Sequence, residues 1–220
     1  MLAPVLNNID NVKKKIQQVF PQKHHHIIAI TKTFTSDYFK PLLDIGHIHF
    51  GENKVQEAET KWPSLLQQYP NVKLHLVGNL QSNKAKKAVQ LFHYIHSLDN
   101  LKLARILDRT EKHLNKKCKY FIQINIGDEP QKSGIAFAQV EDFYQELVKD
   151  TNLDIIGFMC IPPQNEDTSK FFQAMKNLAE QFQLKELSMG MSSDFLVALK
   201  YDASFIRLGS ALFGNRSPIG

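Results

Sequence analysis

The stretch HHHIIAITKTF, residues 24–34, decides how this chain is read. Ile27, Ile28, Ala29, Ile30 and Thr31 form an unbroken run of apolar and β-branched residues, with no polar residue in every second place. Such a strand is covered on both faces, the habit of parallel strands lying between helices. The run ends directly on Lys32. An ammonium group closing a buried strand requires a chemical reason.

Seven further short apolar stretches recur, several of them continuous runs: HIHF (47–50), KLHLVG (73–78), YIHSL (94–98), YFIQIN (120–125), DIIGFM (154–159), ELSM (186–189) and SFIRLG (204–209). Helical signals lie between them. Ser36-Asp37 can cap a segment to Ile45, Glu52 can start one through Trp62, and Ser82 can cap NKAKKAVQLF. Asp99-Asn100, Thr168-Ser169 and Ser192-Ser193 precede three more helical segments, and an amphipathic segment over about 4–20 comes first. Pro41 and Pro63 mark first turns or kinks. Eight β/α units in one uninterrupted chain predict an α/β fold, a (β/α)8 TIM barrel, as a single domain over residues 1–220 with an extra N-terminal helix. A doubly wound open sheet is the alternative.

Composition excludes several classes. The chain has 220 residues, 43% hydrophobic and 22% charged, values ordinary for a folded globular protein. No apolar run reaches the roughly 20 residues of a membrane helix. Lysines follow the apolar residues of the N-terminus and Asp10 lies among them, which does not fit a secretory signal. Cys118 and Cys160 are far apart, without metal-binding spacing, and point to a reduced, cytoplasmic protein. The net charge of +5 comes with lysine clusters at Lys13–Lys15, at Lys84, Lys86 and Lys87, and at Lys116, Lys117 and Lys119. These read as solvated helix faces and ends rather than a nucleic-acid footprint, because no aromatic-basic motif accompanies them. Consecutive His24–His26 alternate in direction on a strand and cannot close on one ion.

In a barrel of this kind the C-terminal strand ends and the loops after them build the site. Strand 7 runs into LSMGMSSD and strand 8 into IRLGSALFG. Gly190 and Gly209 let backbone approach an anion, Ser188, Ser192 and Ser210 add hydroxyl donors, and each loop opens a helix. Helix capping explains either loop alone; the two in adjacent units point to a phosphate cradle. Lys32, desolvated at the barrel mouth, could then offer a neutral amine to an aldehyde and form a Schiff base. Pyridoxal 5′-phosphate meets both requirements. A strand-end lysine snorkelling to solvent is the competing reading. Arg207, on the same strand face as Phe205 and Gly209, could face a cofactor ring nitrogen and keep it unprotonated. A structural ion pair is its alternative. Asp37, Asp194 and Glu52 read as caps, and Met159, Met189 and Met191 as packing near the mouth.

The motifs AITKT around Lys32, FGENKVQE (50–57), HLVGNLQSNK (75–84), HSLD (96–99), QINIGDEPQKSG (123–134), GFMCIP (157–162), LSMGMSSD (187–194) and IRLGSALFG (206–214) occur in that order. In them the chain resembles the pyridoxal phosphate homeostasis proteins, relatives of the N-terminal barrel of alanine racemase, over about residues 5–216. The resemblance implies a fold-type III barrel in which Lys32 carries the cofactor as a Schiff base and Asn53 lies beside the ring. It implies that Ser188, Gly190, Met191, Ser192, Gly209 and Ser210 wrap the phosphate while Arg207 faces the pyridine nitrogen. Lys132 of QKSG matches a further lysine of the family pattern that could receive or shuttle cofactor. The sequence departs from that pattern at Ser210, commonly Thr, at Asn79, and at Pro130 and Gln131 of the rim loop.

The implied role is a monomeric, cytoplasmic carrier of pyridoxal phosphate and related B6 vitamers. It would support vitamin B6 and amino- or keto-acid balance without catalytic turnover, with apo-enzymes as recipients and no nucleic-acid or membrane partner. A pyridoxal-dependent racemase is one alternative, but the second base of that scheme, implied by resemblance to lie in an additional domain, has no counterpart before Gly220. A cofactor-free Schiff-base aldolase is another, although nothing supplies its expected carboxylate pair.

Overall fold

The computed structural model describes residues 4–164 and 166–214. Among these, eight parallel strands close a barrel. They are β1 (His26–Ile30), β2 (His49–Glu52), β3 (Lys73–Leu76), β4 (Tyr94–Leu98), β5 (Lys119–Asn125), β6 (Asp154–Cys160), β7 (Glu186–Met191) and β8 (Phe205–Leu208). Spatial order follows chain order, and β1 closes the ring by pairing with both β2 and β8, Ile28 standing opposite Arg207. A two-residue strand, Ile135–Ala136, hangs on the end of β5. The expected (β/α)8 barrel is the fold, with the additional N-terminal helix α1 (Pro4–Val19).

Alternation along the strands divides the apolar residues into two sets. Ile27 and Ala29 of β1, Phe50, Leu74 and Ile95 point outward into the layer shared with the helices. Ile28, Ile30, Phe121, Met159 and Phe205 point inward and form the barrel's own core. The inward set is small because the interior also holds His49, His75, His96, Ser188 and Arg207, each at most 6% exposed. Helices α2 (Ser36–Asp44), α3 (Val55–Lys61), α4 (Pro63–Gln68), α5 (Ala85–Leu91), α6 (Leu101–Leu114), α7 (Val140–Asp150), α8 (Ser169–Gln181), α9 (Phe195–Lys200) and α10 (Ser210–Phe213) cover the outside. The last is one turn long. Helix α1 packs against α10 and α2, buries Val5, Ile9, Val12 and Ile16, and donates from Asn8 Nδ2 to the Leu212 carbonyl at 2.7 Å.

Local differences from the expectations have physical causes. Strand β2 lies two residues later than HIHF, because His47 turns its Nε2 to the His49 carbonyl and Glu52 is drawn into the strand. Glu52 therefore starts no helix; α3 begins at Val55. Thr35, not Ser36-Asp37, precedes α2, and Ser82–Lys84 form a 3₁₀ turn before α5. Asn100 caps α6 as expected, accepting from Leu103 N at 2.8 Å. Helix α7 is an addition to the segments read above, although Val140, Phe143 and Leu147 carry its buried face. No helix among the described residues is long and apolar enough to cross a membrane. Both cysteines are free and buried.

Burial lowers the pKa of His47 and His93 to about 4 and of His49 to about 3, and places those of His75 and His96 well below the ordinary value. Unfolded histidines near 6.5 take up protons that the folded ones refuse, so this contribution is complete above about pH 6.5 and declines as pH falls toward the folded values. Urea unfolding should lose up to about 1.4 kcal/mol per pH unit for each such histidine below that point. A flat midpoint between pH 7.5 and 5 would contradict these burials.

Candidate functional site

Lys32 follows β1 at the C-terminal mouth, and both flanking residues are tied to the next β/α unit. Thr31 Oγ1 donates to Glu52 Oε1 at 2.7 Å, and the Thr31 carbonyl accepts from Lys61 Nζ at 2.8 Å. Thr33, in the left-handed region at φ 67°, donates its N–H to Glu57 Oε1 at 2.5 Å. Lys61 Nζ also meets Glu52 Oε1 at 2.9 Å and Glu57 Oε1 at 2.8 Å, while Trp62 Nε1 donates to Glu52 Oε1 at 2.9 Å. The fully buried Glu52 carboxylate is thus the anchor of the strand end that presents Lys32, not a helix cap.

The mouth holds a cavity of about 370 Å³ lined by Ile30, Lys32, Asn53, Val77, Ile161, Met191, Ser192, Ser193, Arg207, Gly209 and Ser210. Seven of the nine residues singled out for a cofactor line it: Lys32, Asn53, Met191, Ser192, Arg207, Gly209 and Ser210. Ser188 and Gly190 do not. Ser188 is fully buried behind Arg207, its hydroxyl accepting from Arg207 Nη1 at 2.7 Å. Gly190 has φ +90°, and a Cβ there would lie 2.6 Å from Ala198 Cβ on α9. Backbone conformation and helix packing both call for glycine there.

Gly209 is the opposite case. A Cβ on it would meet only Ile30 Cβ at 3.8 Å, so the protein itself leaves that space open. Gly209 N and Ala211 N both point at Ser192 Oγ, at 3.3 and 3.1 Å. Two backbone donors thus converge on the Ser192 hydroxyl oxygen and tie the turn after β8 to the loop after β7. Asp194 holds the preceding loop by accepting from Met191 N at 2.6 Å.

Arg207 is 5% exposed and reaches the cavity from β8. Nη1 donates to the Ser188 carbonyl at 2.6 Å and Nη2 to the Cys160 carbonyl at 2.8 Å, in addition to the Ser188 hydroxyl. No carboxylate among the described residues makes an ion pair with it, so the structural ion pair is not what holds it; three neutral oxygens do. Burial lowers its pKa, yet arginine starts so high that the group stays charged.

A second cavity of about 250 Å³ adjoins the first through Asn53, Val77 and Ile161, and Lys132 lies on its wall. Lys132 Nζ contacts Glu129 Oε1 at 2.5 Å and the Pro162 carbonyl at 3.1 Å. The rim loop carrying Pro130 and Gln131 is closed by Asn125, whose side chain donates to the Glu129 carbonyl and accepts from Glu129 N. The lysine clusters lie elsewhere on the surface, Lys87 paired with Glu59 and Lys117 with Glu111. Met189 belongs to the outer core, whereas Met159 is inside the barrel.

These features define a class: residues 4–217 match the family model of the alanine racemase N-terminal domain. The chain is 38% identical over 199 residues to the pyridoxal phosphate homeostasis protein of Synechocystis, covering 86% of this chain and 91% of that one. It is 32% identical to that of Pasteurella multocida over 225 residues, covering 98% and 96%. Among solved structures, PipY of Synechococcus elongatus with pyridoxal phosphate bound superposes with a TM-score of 0.84 at 32% identity, over 96% of this chain and 100% of PipY. The chain belongs to the pyridoxal phosphate homeostasis protein family.

Lys61→Met should be costly although Lys61 lies outside the cavity, because it leaves Glu52 buried and charged without its cation. A loss of about 3–5 kcal/mol in urea unfolding is expected. A loss below about 1 kcal/mol, the range of exposed pairs, would show that the anchor is not cooperative.

Proposed function

We propose that this chain binds pyridoxal 5′-phosphate in the mouth cavity, holds it reversibly and releases it, serving intracellular cofactor balance and, through it, amino- and keto-acid balance. The observation that carries the reading is the convergence of Ser192, Gly209 and Ser210 with Lys32 and Arg207 on one cavity. When bound, the cofactor would supply an aldehyde able to condense with a lysine amine. Lys32 is the residue assigned to that attachment, and its fixed strand end keeps the amine at the wall. Gly209, Ser210, Ala211 and Ser192 are the phosphate donors. Asn53 and Met191 flank the ring, and Arg207 meets its nitrogen with a donor that cannot be exchanged for an acceptor. Ser188 and Gly190 serve from behind, the first by orienting Arg207 and the second by shaping the loop.

Holding rather than turnover is supported by the walls. Among the described residues, neither cavity is lined by a carboxylate, tyrosine, histidine or thiol. Besides Lys32 and Arg207, Lys132 is the titratable lining group, and it is engaged by Glu129 and Pro162. The free thiols agree with the reducing cytoplasm. Apo-enzymes that require the cofactor are the recipients, and other B6 vitamers carrying the phosphate compete for the same donors.

Titration with pyridoxal phosphate, followed by visible absorbance, tests the reading. The unaltered protein should gain a stoichiometric visible band, and Lys32→Ala should lose it while retaining weak binding. Gly209→Ala should keep the melting temperature and weaken binding about tenfold, the effect of losing about 1.4 kcal/mol. No band in the unaltered protein, or steady racemisation of L-alanine by it, would overturn the carrier function.

A further inference from the structure

The barrel interior contains a line of hydrogen bonds that cofactor attachment does not use. His49 Nδ1 lies 2.9 Å from His75 Nε2, His75 Nδ1 lies 2.9 Å from His96 Nε2, and His96 Nδ1 lies 2.8 Å from Ser188 Oγ. Arg207 Nη1 then reaches the same hydroxyl. The three histidines occupy inward positions of successive strands, and all are at most 6% exposed. They run in a line rather than converging, and no metal-binding cluster occurs among the described residues.

We propose that His96, backed by His75 and His49, is the positioning residue for Arg207, and that the chain is locked in one proton order. The argument starts at the guanidinium, which can only donate. Ser188 Oγ accepts from it, so its own proton must leave in another direction. The acceptor for it among the described residues is His96 Nδ1. His96 then carries its proton on Nε2 and donates to His75 Nδ1. By the same step His75 donates from Nε2 to His49 Nδ1, which leaves His49 protonated on Nε2.

One charged group thus sets three tautomers over three strands. In return, His96 keeps the Ser188 hydroxyl turned so that its oxygen lone pairs face Arg207. Stacking holds the rings in plane: His75 lies on Tyr94 at 4.3 Å and 9°, and His96 on Phe121 at 4.3 Å and 23°.

The chain does not conduct protons, because reversing it would leave the Ser188 hydroxyl proton without an acceptor among the described residues, Arg207 being able only to donate. Nor does it accept one readily. A protonated His96 would present Nδ1–H to the Ser188 hydroxyl and place a second cation beside Arg207. Towards its other end the chain faces His26, His47, His93 and Lys73, which also disfavour added positive charge. The meaning of the device for the cofactor rests on the proposed binding site. The proton order does not.

Long-range ¹H–¹⁵N correlation of ¹⁵N-histidine-labelled protein without cofactor tests the lock directly. His49, His75 and His96 should all appear as the neutral Nε2–H tautomer and stay so from pH 8 to 5.5. An Nδ1–H tautomer at His96, or any of the three rings titrating near pH 6.5, would overturn the assignment. Two variants then test positioning. His96→Gln offers an acceptor to Ser188 and a donor to His75, whereas His96→Leu fills the space with neither. The Gln variant should keep the spectrum of bound pyridoxal phosphate, and the Leu variant should shift it and bind about tenfold or more weakly. Equal behaviour of the two would remove the positioning role. Should the unaltered protein take up no pyridoxal phosphate, the binding reading fails while the tautomer result still decides the chain.

Discussion

The inner wall of the barrel mouth depends on one buried guanidinium. A charge inside a strand barrel is tolerated only if its donors are met, and Arg207 meets two carbonyls and a hydroxyl instead of a carboxylate. Neutral partners leave the positive charge in place, so the wall facing the cavity stays cationic. The strands that supply those oxygens, β6 and β7, are fixed in register with β8 by the barrel itself. The polar interior then displaces the branched aliphatic filling usual in such barrels and leaves only a small apolar cluster inside. Stability comes instead from the outer layer, where strand and helix residues pack continuously.

A similar economy operates at Lys32. Its direction is set by neighbours that do not enter the cavity, since Glu52, Glu57 and Lys61 hold the backbone and side chains on either side. The site is therefore carried by strand ends, with one glycine-containing turn supplying backbone donors. Such a preformed cavity needs little ordering when a ligand enters or leaves.

Much of this was legible before any coordinates. The β-branched runs located the eight strands, β4 to the residue, because fully covered strands advertise themselves by composition. That Lys32, Arg207, Gly209 and Ser210 gather at the mouth is legible because polar residues at strand ends are out of place. Glu52 was misread as a cap, since hydropathy gives no sign that a carboxylate will be buried by Trp62 and Lys61 from the following helices. Ser188 was assigned to the ligand because its loop looked like a cradle, while strand alternation turns it into the barrel. The histidine chain was missed for a different reason. His49, His75 and His96 lie more than twenty residues apart in sequence and become neighbours only when three strands are placed in register.

The most direct test of the central claim is covalent. Protein saturated with pyridoxal phosphate is reduced with borohydride, digested and mapped by mass. A pyridoxyl group on the peptide containing Lys32, in about one copy per chain, is the expected result. The same group on Lys132, or distributed over surface lysines, would contradict the assignment of the barrel mouth as the holding site.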